Sequence, residues 1–472
     1  MTLEIEIPRL EDYGISPATG FLPEAPPLRR LISDEFAPWE EALDDLHGLL
    51  LTRRVRERIR QLPLLDVTKL ETEREMQRAF LVLCMLGHAY VWGDPACVEE
   101  TLPACIAVPW TKVADHLGLC PVVCHASVIL WNWRLVFADE PLSLDNLTTL
   151  HTYSGSLDES WFYLVTTAIE YVGAPALPAI LEAIQAVRSE NHVRLLESLT
   201  EVRSAIVKIN SLMPRMYERC DPHVFYHKVR TFLRGWENMK ELPRGLRYEG
   251  VEPPQLDTSL SLGEARDVVE RQYRQYAGGS AAQSPLIHSL DIALGVEHRP
   301  TGEQPHHASS NRRNNFIERM RQYMLGKHRR FLEHLRDSAN IRDYVQGLTQ
   351  THPNDINADL VVRAYNDCID QLKVFRDKHI QMVSLYVVNQ SKKTTIVVND
   401  TSGDEKKQEM SASAPLPTPA PSRSASPTEN VSVEQTVSPG SSKVVRGTGG
   451  TNVIPFLKQT RDETLETKID QS

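Results

Sequence analysis

The amino-acid sequence predicts an all-α fold, and two observations support this prediction. Apolar residues recur at helical spacing over about 31–133 and again over about 156–386, as they do on the buried faces of amphipathic helices. The alternation of apolar and polar residues that is typical of strands is scarce in both blocks. No internal repeat divides the chain. We therefore expect a smaller N-terminal helical domain, residues 1–150, and a larger helical domain, residues 151–390.

Composition and charge are those of an ordinary globular protein. The chain has 472 residues, of which 41% are hydrophobic and 24% are charged, and this length allows two or three domains. The net charge of -10 gives no basic field, so nucleic acid is not an expected partner. The N-terminus lacks the basic start and apolar core of a secretory signal, and the longest apolar run, 80–93, is shorter than the ~20 residues of a membrane helix. We expect a cytoplasmic protein without a membrane partner.

The cysteines indicate a reducing compartment. There are 7 of them at irregular spacing, which is typical of reduced thiols in an intracellular protein. Cys120, Cys124 and His125 lie close together, but no second Cys/His pair follows them at the spacing of a zinc ribbon. Core packing is therefore the favoured interpretation of these three residues.

The composition changes after Asn389. Residues 391–445 are rich in Ser, Thr, Pro, Lys and Glu and contain no aromatic residue, so they cannot bury enough apolar surface to become ordered. Apolar residues return in the segment 446–472. We predict a disordered linker, 391–445, followed by a C-terminal flap and docking helix, 446–472. A flexible chain of the linker's length spans roughly 40 Å, enough to reach back to the main body.

One histidine lies on the apolar face of a predicted helix, residues 356–388. A buried imidazole needs a hydrogen-bond partner or a ligand, since an unsatisfied polar group costs ~1–3 kcal/mol. Periodicity leaves two interpretations open: a satisfied core histidine, or a ligand of a metal or of haem iron. The chain has no Cys-x-x-Cys-His motif, so any haem would be held without thioether bonds. Spacings of four and three residues define the face: Val361, Tyr365, Cys368, Leu372, Phe375, His379, Met382 and Tyr386.

Several segments resemble the indoleamine 2,3-dioxygenase family, and they occur in the family's order over most of the chain outside the linker. The resemblance implies a monomeric all-α protein whose small N-terminal domain caps a large helical domain that binds one haem b. It also implies insertion of both atoms of dioxygen across the C2–C3 bond of L-tryptophan or a related indole, giving N-formylkynurenine, with a reductant that keeps iron ferrous. The segments are LEDYGISPATGFLP, WFYLVTTAIE, FYHKVRTFLRGW, YEGV, AGGSAAQSPLIHSLDIALGVEH, MLGKHRRFLEHL, FRDKHIQMVSLYV and GTGGTNVIPFLK.

On the haem side, the resemblance assigns the iron ligand to His379. Arg376, one turn earlier, and Asp291 in SLDIALG match a pair of residues beside that ligand. An Arg–carboxylate pair there would fix the imidazole and tune the electron density that it donates to iron. Taken without the resemblance, Arg376 is typical of a solvated helix face.

On the substrate side, the resemblance assigns roles to four residues. Phe162 and Phe225 would pack the indole ring, and Arg230 would pair with the substrate carboxylate as a two-pronged donor. Thr166 matches a position above the iron that is often Ser, where a hydroxyl can hydrogen-bond dioxygen or water. From the residues alone, 225–236 is a helix with an apolar core face and Arg230 at its edge.

Two glycine-rich loops complete the implied site. In AGGSAAQS, Gly279, Ser280 and Ala281 would contact haem or the substrate ammonium, because glycine lets the backbone approach a ligand closely. In GTGGT, Thr448 would lie on a mobile flap that closes over the site and excludes water. Taken alone, each sequence is an ordinary loop.

One departure from the family concerns the substrate. His125 stands where the family often has Tyr, near the distal pocket, so substrate affinity and range do not follow from the resemblance. The alternative function is a family member with low tryptophan affinity that acts as a haem-binding sensor or on another indole.

Overall fold

Helices form most of the structure, as the sequence predicts. The computed structural model describes residues 5–94, 96–252, 272–301, 316–351, 355–393, 447–448 and 452–470. Within these ranges the fold class is confirmed as all-α. The helices of eight or more described residues are α1 (Ala37–Asp44), α2 (Glu73–Trp92), α3 (Ala104–Leu117), α4 (Leu157–Gly173), α5 (Ala176–Arg188), α6 (His192–Leu212), α7 (Pro285–Ala293), α8 (Gly326–Ser338), α9 (Ile341–Thr351), α10 (Ile356–Val383) and α11 (Val453–Glu466).

Shorter elements connect these helices. The described strands are two or three residues long: β1 pairs parallel with β4, β4 antiparallel with β5, and β2 antiparallel with β3. They join loops and form no separate layer. The strands are β1 (Thr101–Leu102), β2 (Trp133–Leu135), β3 (Leu147–Thr149), β4 (Leu246–Tyr248) and β5 (Tyr273–Arg274). Short α-helices are Leu46–Leu51, Val55–Arg60, Met216–Arg219, Pro222–Val224, Arg230–Phe232 and Phe316–Met320, and π turns are Ala126–Leu130, Phe225–Val229 and Ser384–Val388. The 3-10 turns are Leu10–Tyr13, Asp34–Phe36, Val67–Lys69, Leu144–Asn146, Met213–Arg215, Ala281–Gln283 and Arg321–Tyr323.

Helix α2 is the central helix of the N-terminal part. Its first turn is stabilised by a capping box, in which Thr72 and Glu75 exchange hydrogen bonds between side chain and backbone. Every residue over 79–92 is buried, as expected for a helix that others surround. Helices α1 and α3 pack against α2, and a buried ion pair of 2.5 Å between Arg78 and Glu40 joins α2 to α1.

Helices α4, α6 and α10 form the core of the larger part. Helix α6 packs along α10 and also contacts α4 and α5. The first half of the α10 face, from Val361 to Leu372, is fully buried, and the helices that pack against α10 are α6, α9 and α11. From Phe375 onwards the same face borders a cavity. The apolar face seen in the sequence is therefore continuous: its first half is packed core, its middle is cavity wall, and Tyr386 at its end is buried again.

Helix α11 docks on α10 through polar contacts. Arg376 of α10 donates hydrogen bonds to the Thr464 hydroxyl and the Thr460 carbonyl of α11. Beyond the helix, Ile469 donates from its backbone N–H to the Asn366 side chain at 3.0 Å and accepts from it at 2.8 Å. These contacts hold the C-terminal segment on the main body.

Two boundaries differ from those predicted. The helix predicted over 225–236 ends at Phe232, because Gly235 packs against the backbone of Gly278 so closely that neither position has room for a Cβ atom. The predicted linker, 391–445, lies outside the described residues except for 391–393, which are helical.

The stretch Leu157–Arg188, which contains α4 and α5, is long and apolar enough to cross a membrane by length and composition. Its most apolar window is 61% buried inside the protein, and helix α4 ends at Gly173 before α5 begins at Ala176. Core helices of globular proteins have the same character, so the stretch is part of the packed core described above.

Candidate active site

A largely apolar cavity of about 280 Å³ lies among helices α4, α7, α10 and α11. Aliphatic side chains such as Ile169, Ile287 and Val453 supply much of its wall. The fold brings together at this cavity every site residue that the sequence suggested, although the roles assigned to them stay predictions. These residues are Phe162, Thr166, Phe225, Arg230, Gly279, Ser280, Ala281, Asp291, Arg376, His379 and Thr448.

His379 projects from α10 to the wall of the cavity. Burial, together with the nearby charge of Arg376, lowers the pKa of its imidazole to about 4, so the ring is neutral at neutral pH and carries a lone pair on one nitrogen. Phe375 packs beside it, with 6.4 Å between the ring centroids. Among the described residues, none forms a hydrogen bond with this imidazole. The geometry therefore favours a ligand role for His379 over a hydrogen-bonded core histidine.

A buried ionic network lies one turn from His379. Nη2 of Arg376 is 2.7 Å from each carboxylate oxygen of Asp291 on α7. His298 donates from Nε2 to Asp291 at 3.1 Å and from Nδ1 to Glu463 of α11 at 2.7 Å. Burial opposes ionisation of Asp291, but the charge of Arg376 and the hydrogen bond from His298 outweigh it and lower the Asp291 pKa to about 2. The network thus fixes α7, α10 and α11 to one another.

Replacing Asp291 with asparagine should lower the free energy of unfolding by about 3–5 kcal/mol, because the buried guanidinium of Arg376 loses its carboxylate. The contribution of Asp291 is present above its ordinary pKa of 3.8 and is lost as the pH falls through that value towards about 2. Urea unfolding of variant and wild type at several pH values should show a stability gap that narrows below about pH 4.

Asp359→Asn is the matched control, because Asp359 is an exposed carboxylate on α10 whose ion pair with Arg363 is also exposed. Its effect should stay within about 0.5 kcal/mol. A gap for Asp291→Asn that is as small as this control at neutral pH would contradict the stabilising role of the pair.

Two aromatic rings and a partly buried cation lie together at the wall formed by α4 and the segment 222–232. The ring centroids of Phe162 and Phe225 are 4.7 Å apart and inclined by 47°. Arg230 follows the π turn that carries Phe225, and its guanidinium carbon lies 5.5 Å from the Tyr226 ring centroid. Burial lowers the pKa of the Arg230 guanidinium, so a carboxylate bound beside it would offset the cost of burying this charge.

Thr166 lies one turn after Phe162 on α4. Its hydroxyl donates to the Phe162 carbonyl at 3.0 Å, so the hydrogen is engaged within the helix while the oxygen can still accept a hydrogen bond. Thr166 can therefore accept from an ordered water as it stands. A hydrogen bond donated to dioxygen requires that the bond to Phe162 first break.

The loop 277–281 and the flap residues 447–448 meet at the cavity. The Gly278 N–H donates to the Thr448 carbonyl at 3.2 Å, and the Thr448 hydroxyl donates to the Gly279 carbonyl at 2.6 Å. The backbone of Gly278 packs against Gly235 and leaves no room for a Cβ atom. Gly279 does have room for one, since the nearest atom, of Val123, is 3.8 Å away. Ser280 caps the turn Ala281–Gln283 with its hydroxyl. Residues 447–448 therefore lie against this loop.

Sequence reasoning missed one polar cluster at this cavity. Glu170 of α4 is 1% exposed, and its Oε1 accepts hydrogen bonds from Ser284 Oγ at 2.5 Å and from His125 Nε2 at 2.8 Å. All three residues border the cavity. Glu170 lies four residues after Thr166, which itself lies four residues after Phe162. Helical spacing therefore places all three on one face of α4, and this was the signal by which the sequence could have indicated Glu170. The sequence singled out His125 but not its partner.

Comparison with known proteins identifies the family. The family model for indoleamine 2,3-dioxygenase matches residues 9–467. The chain is 37% identical to Indoleamine 2,3-dioxygenase of Saccharomyces cerevisiae, over 98% of its own length and 94% of that protein. It is 34% identical to Indoleamine 2,3-dioxygenase acdA of Aspergillus candidus, over 97% of each, and 31% identical to Indoleamine 2,3-dioxygenase 2 of Homo sapiens, over 97% of its length and 95% of that protein. The resemblance seen in the sequence is confirmed, and the chain belongs to the indoleamine 2,3-dioxygenase family of oxidoreductases.

Proposed function

We propose that this protein is a haem-dependent dioxygenase that inserts both atoms of dioxygen across the C2–C3 bond of L-tryptophan to give N-formylkynurenine. The observation that carries the proposal is His379, an imidazole that borders an apolar cavity and has no hydrogen-bond partner among the described residues. The same cavity holds an aromatic pair and the partly buried cation of Arg230, which are the groups that an indole amino acid requires.

The residues at the cavity fit haem b. The apolar wall suits a porphyrin, and the neutral imidazole of His379 suits an axial ligand of its iron. The ion pair between Arg376 and Asp291 would hold α10, and with it His379, in a fixed position. Haem supplies the activation of dioxygen when it is bound.

The other residues bind and orient the substrate. Phe162 and Phe225 pack the indole ring, and Arg230 pairs with the carboxylate through two parallel hydrogen bonds. Thr448 and the loop at Gly279 exclude water, because the flap closes directly on that loop. Together these contacts place the reacting C2–C3 bond without a protein base.

The setting of the reaction forms part of the proposal. The protein acts as a monomer in the cytoplasm, with a cellular reductant that keeps the iron ferrous. The cysteines support this setting, since all seven are free thiols in the structure, as in proteins of a reducing compartment. Sedimentation of the haem-loaded protein tests the monomer directly.

The function is tested with labelled dioxygen. Haem-loaded protein is incubated with L-tryptophan, a reductant and isotopically pure ¹⁸O₂, and the product is identified by mass spectrometry. N-formylkynurenine that carries two labelled oxygen atoms is the expected result. Bound haem without any such product would overturn the enzyme proposal and favour the haem-binding sensor. Absorption spectra with dithionite, carbon monoxide and L-tryptophan show in the same samples that haem is present and reducible.

A further inference from the structure

One histidine with a buried side chain joins the end of helix α7 to helix α11. The side chain of His298 is 6% exposed. Its Nε2 lies 3.1 Å from Oδ2 of Asp291, and its Nδ1 lies 2.7 Å from Oε2 of Glu463. A neutral imidazole carries one N–H and can donate to only one of two carboxylates, whereas an imidazolium donates to both. Two ionised carboxylates at these distances therefore require the charged form of His298.

The other contacts of Glu463 hold it as a carboxylate. Its Oε1 accepts from the Arg299 backbone N–H at 3.0 Å and from the Gln459 side-chain amide at 2.8 Å. A buried carboxylate needs a positive partner close to it. The Arg299 guanidinium approaches Glu463 only to 3.8 Å, so the shorter contact with His298 supplies that partner.

The surroundings of His298 favour its charged form. Burial lowers the pKa of the imidazole, but the hydrogen bonds to Asp291 and Glu463 outweigh it and raise the pKa above its ordinary value of 6.5. Asp291 has a pKa of about 2 and His288 one of about 4, and Arg376 keeps its charge as a guanidinium. His298 is therefore the described group of this network whose charge changes above neutral pH. Further charged groups nearby are Glu297, Arg299, Glu318, Arg321, Arg336, Arg342 and Asp343.

A second cavity provides a route by which His298 can exchange its proton. Its volume is about 400 Å³, and it borders His298, Asp291 and Arg299. The charged side chains in its lining favour water, unlike the largely apolar wall beside His379.

Helix α11 is part of the wall of the candidate active site. Val453, Phe456, Leu457 and Thr460 border the cavity that His379 also borders, and Glu463 lies one turn beyond Thr460 on the same helix. The contact between Glu463 and His298 thus helps to hold this wall in place. When His298 loses its proton, one carboxylate faces a lone pair instead of an N–H, and the contact weakens.

We propose that His298 is a positioning residue whose imidazolium form holds α11 against the cavity, so that this wall loosens as the pH rises. The contribution of His298 is fully present below about pH 6.5 and is lost as the pH rises through its raised pKa. One proton is involved, so the docking equilibrium of α11 should fall by up to about tenfold per pH unit in that window.

Hydrogen–deuterium exchange of the purified full chain measures the docking of α11. Amide protection over Val453–Glu466 is followed from about pH 6 to about pH 9 and corrected for intrinsic exchange rates. Wild type should lose protection of α11 as the pH rises, whereas helix α6 serves as the internal reference. Protection of α11 that does not depend on pH would overturn the inference.

Two variants identify the group responsible. Glu463→Gln should keep α11 docked with little pH dependence, because the amide nitrogen donates to Nδ1 of a neutral ring and the amide oxygen still accepts from Arg299 and Gln459. His298→Gln should lower the protection of α11 by about tenfold or more at about pH 6, because Glu463 loses its cation, and should remove the pH dependence.

Glu466→Gln is the matched control, because Glu466 lies on the same helix and its ion pair with Arg299 is partly exposed. Its profile should follow that of wild type. If Glu463→Gln keeps the pH dependence of wild type, another group titrates and the inference is wrong. Should Glu463→Gln fail to dock α11 at all, His298→Gln decides, since a wild-type pH profile without the imidazole overturns the proposal.

The pH profile of the reaction gives a second measurement, which rests on the proposed function. In wild type, kcat/KM of the haem-loaded protein for L-tryptophan should fall together with the protection of α11, and Glu463→Gln should flatten both. A constant kcat/KM while protection falls would overturn the positioning role. Protection that falls with pH in a protein that forms no product would instead overturn the proposed function alone.

Discussion

Replacing His379 with alanine should abolish haem binding, so that the purified protein is colourless and shows no Soret band. His379 borders the cavity with an imidazole that no described residue hydrogen-bonds. The other histidines at the cavity are engaged. His125 donates to Glu170, and His288 bonds the Ala282 carbonyl through Nε2 at 2.9 Å. Without His379, the histidines at the cavity therefore supply no ligand for the iron. Absorption spectra and haem quantification measure the loss of bound haem.

Two further variants make the His379 experiment specific. In His379→Gly, added imidazole should restore the Soret band, because a free ring can occupy the space that the side chain leaves. In His288→Gln, haem content should stay near that of wild type. Both ring nitrogens of His288 are hydrogen-bonded, one to the Ala282 carbonyl and one to Arg321, so its role is structural. Normal haem content in His379→Ala would refute the ligand assignment.

Replacing Arg230 with alanine should lower kcat/KM for L-tryptophan by about 30-fold to about 4,000-fold, while haem content stays unchanged. The range corresponds to the ~2–5 kcal/mol that is lost when one partner of a buried charge pair is truncated. Arg230→Lys should recover only part of the loss, since an ammonium group keeps the charge but not the planar fork that matches a carboxylate. Steady-state kinetics of both variants measure the effect.

The choice of substrate separates a carboxylate contact from a general defect. Tryptamine lacks the carboxylate, so wild type and Arg230→Ala should bind it with similar affinity if the pair is real. Arg234→Lys is the matched control, because Arg234 stacks on Trp92 at 4.3 Å and pairs with Glu241 away from the cavity. An unchanged Michaelis constant for L-tryptophan in Arg230→Ala would count against the assignment.

The face of α10 that carries His379 was predictable, because helical periodicity depends only on the chain that forms the helix. The spacing places the histidine on the same face as Val361 and Leu372, and the structure shows that face as continuous. The change from packed core to cavity wall at Phe375 was not predictable. It depends on the distance between α10 and its neighbours, which no local pattern records.

The segment 222–232 shows where local patterns fail. Its π turn, Phe225–Val229, departs from the 3.6-residue period that the sequence analysis assumed. Its end at Phe232 depends on contact between Gly235 and Gly278, which are distant in sequence. Glu170 was missed for a related reason. Charged residues are usually exposed, and only the folded chain shows its carboxylate buried against Ser284.

The way α11 is attached has a consequence for the evolution and processing of this protein. Its anchors are side-chain and backbone contacts with α10, such as those of Arg376 and Asn366, and they do not depend on the number of residues that precede it. Doubling the length of a connecting loop costs only about 0.6 kcal/mol. With the linker that the sequence predicts over 391–445, insertions and deletions within it should persist among natural sequences, and two separately expressed pieces divided there should reassemble in solution.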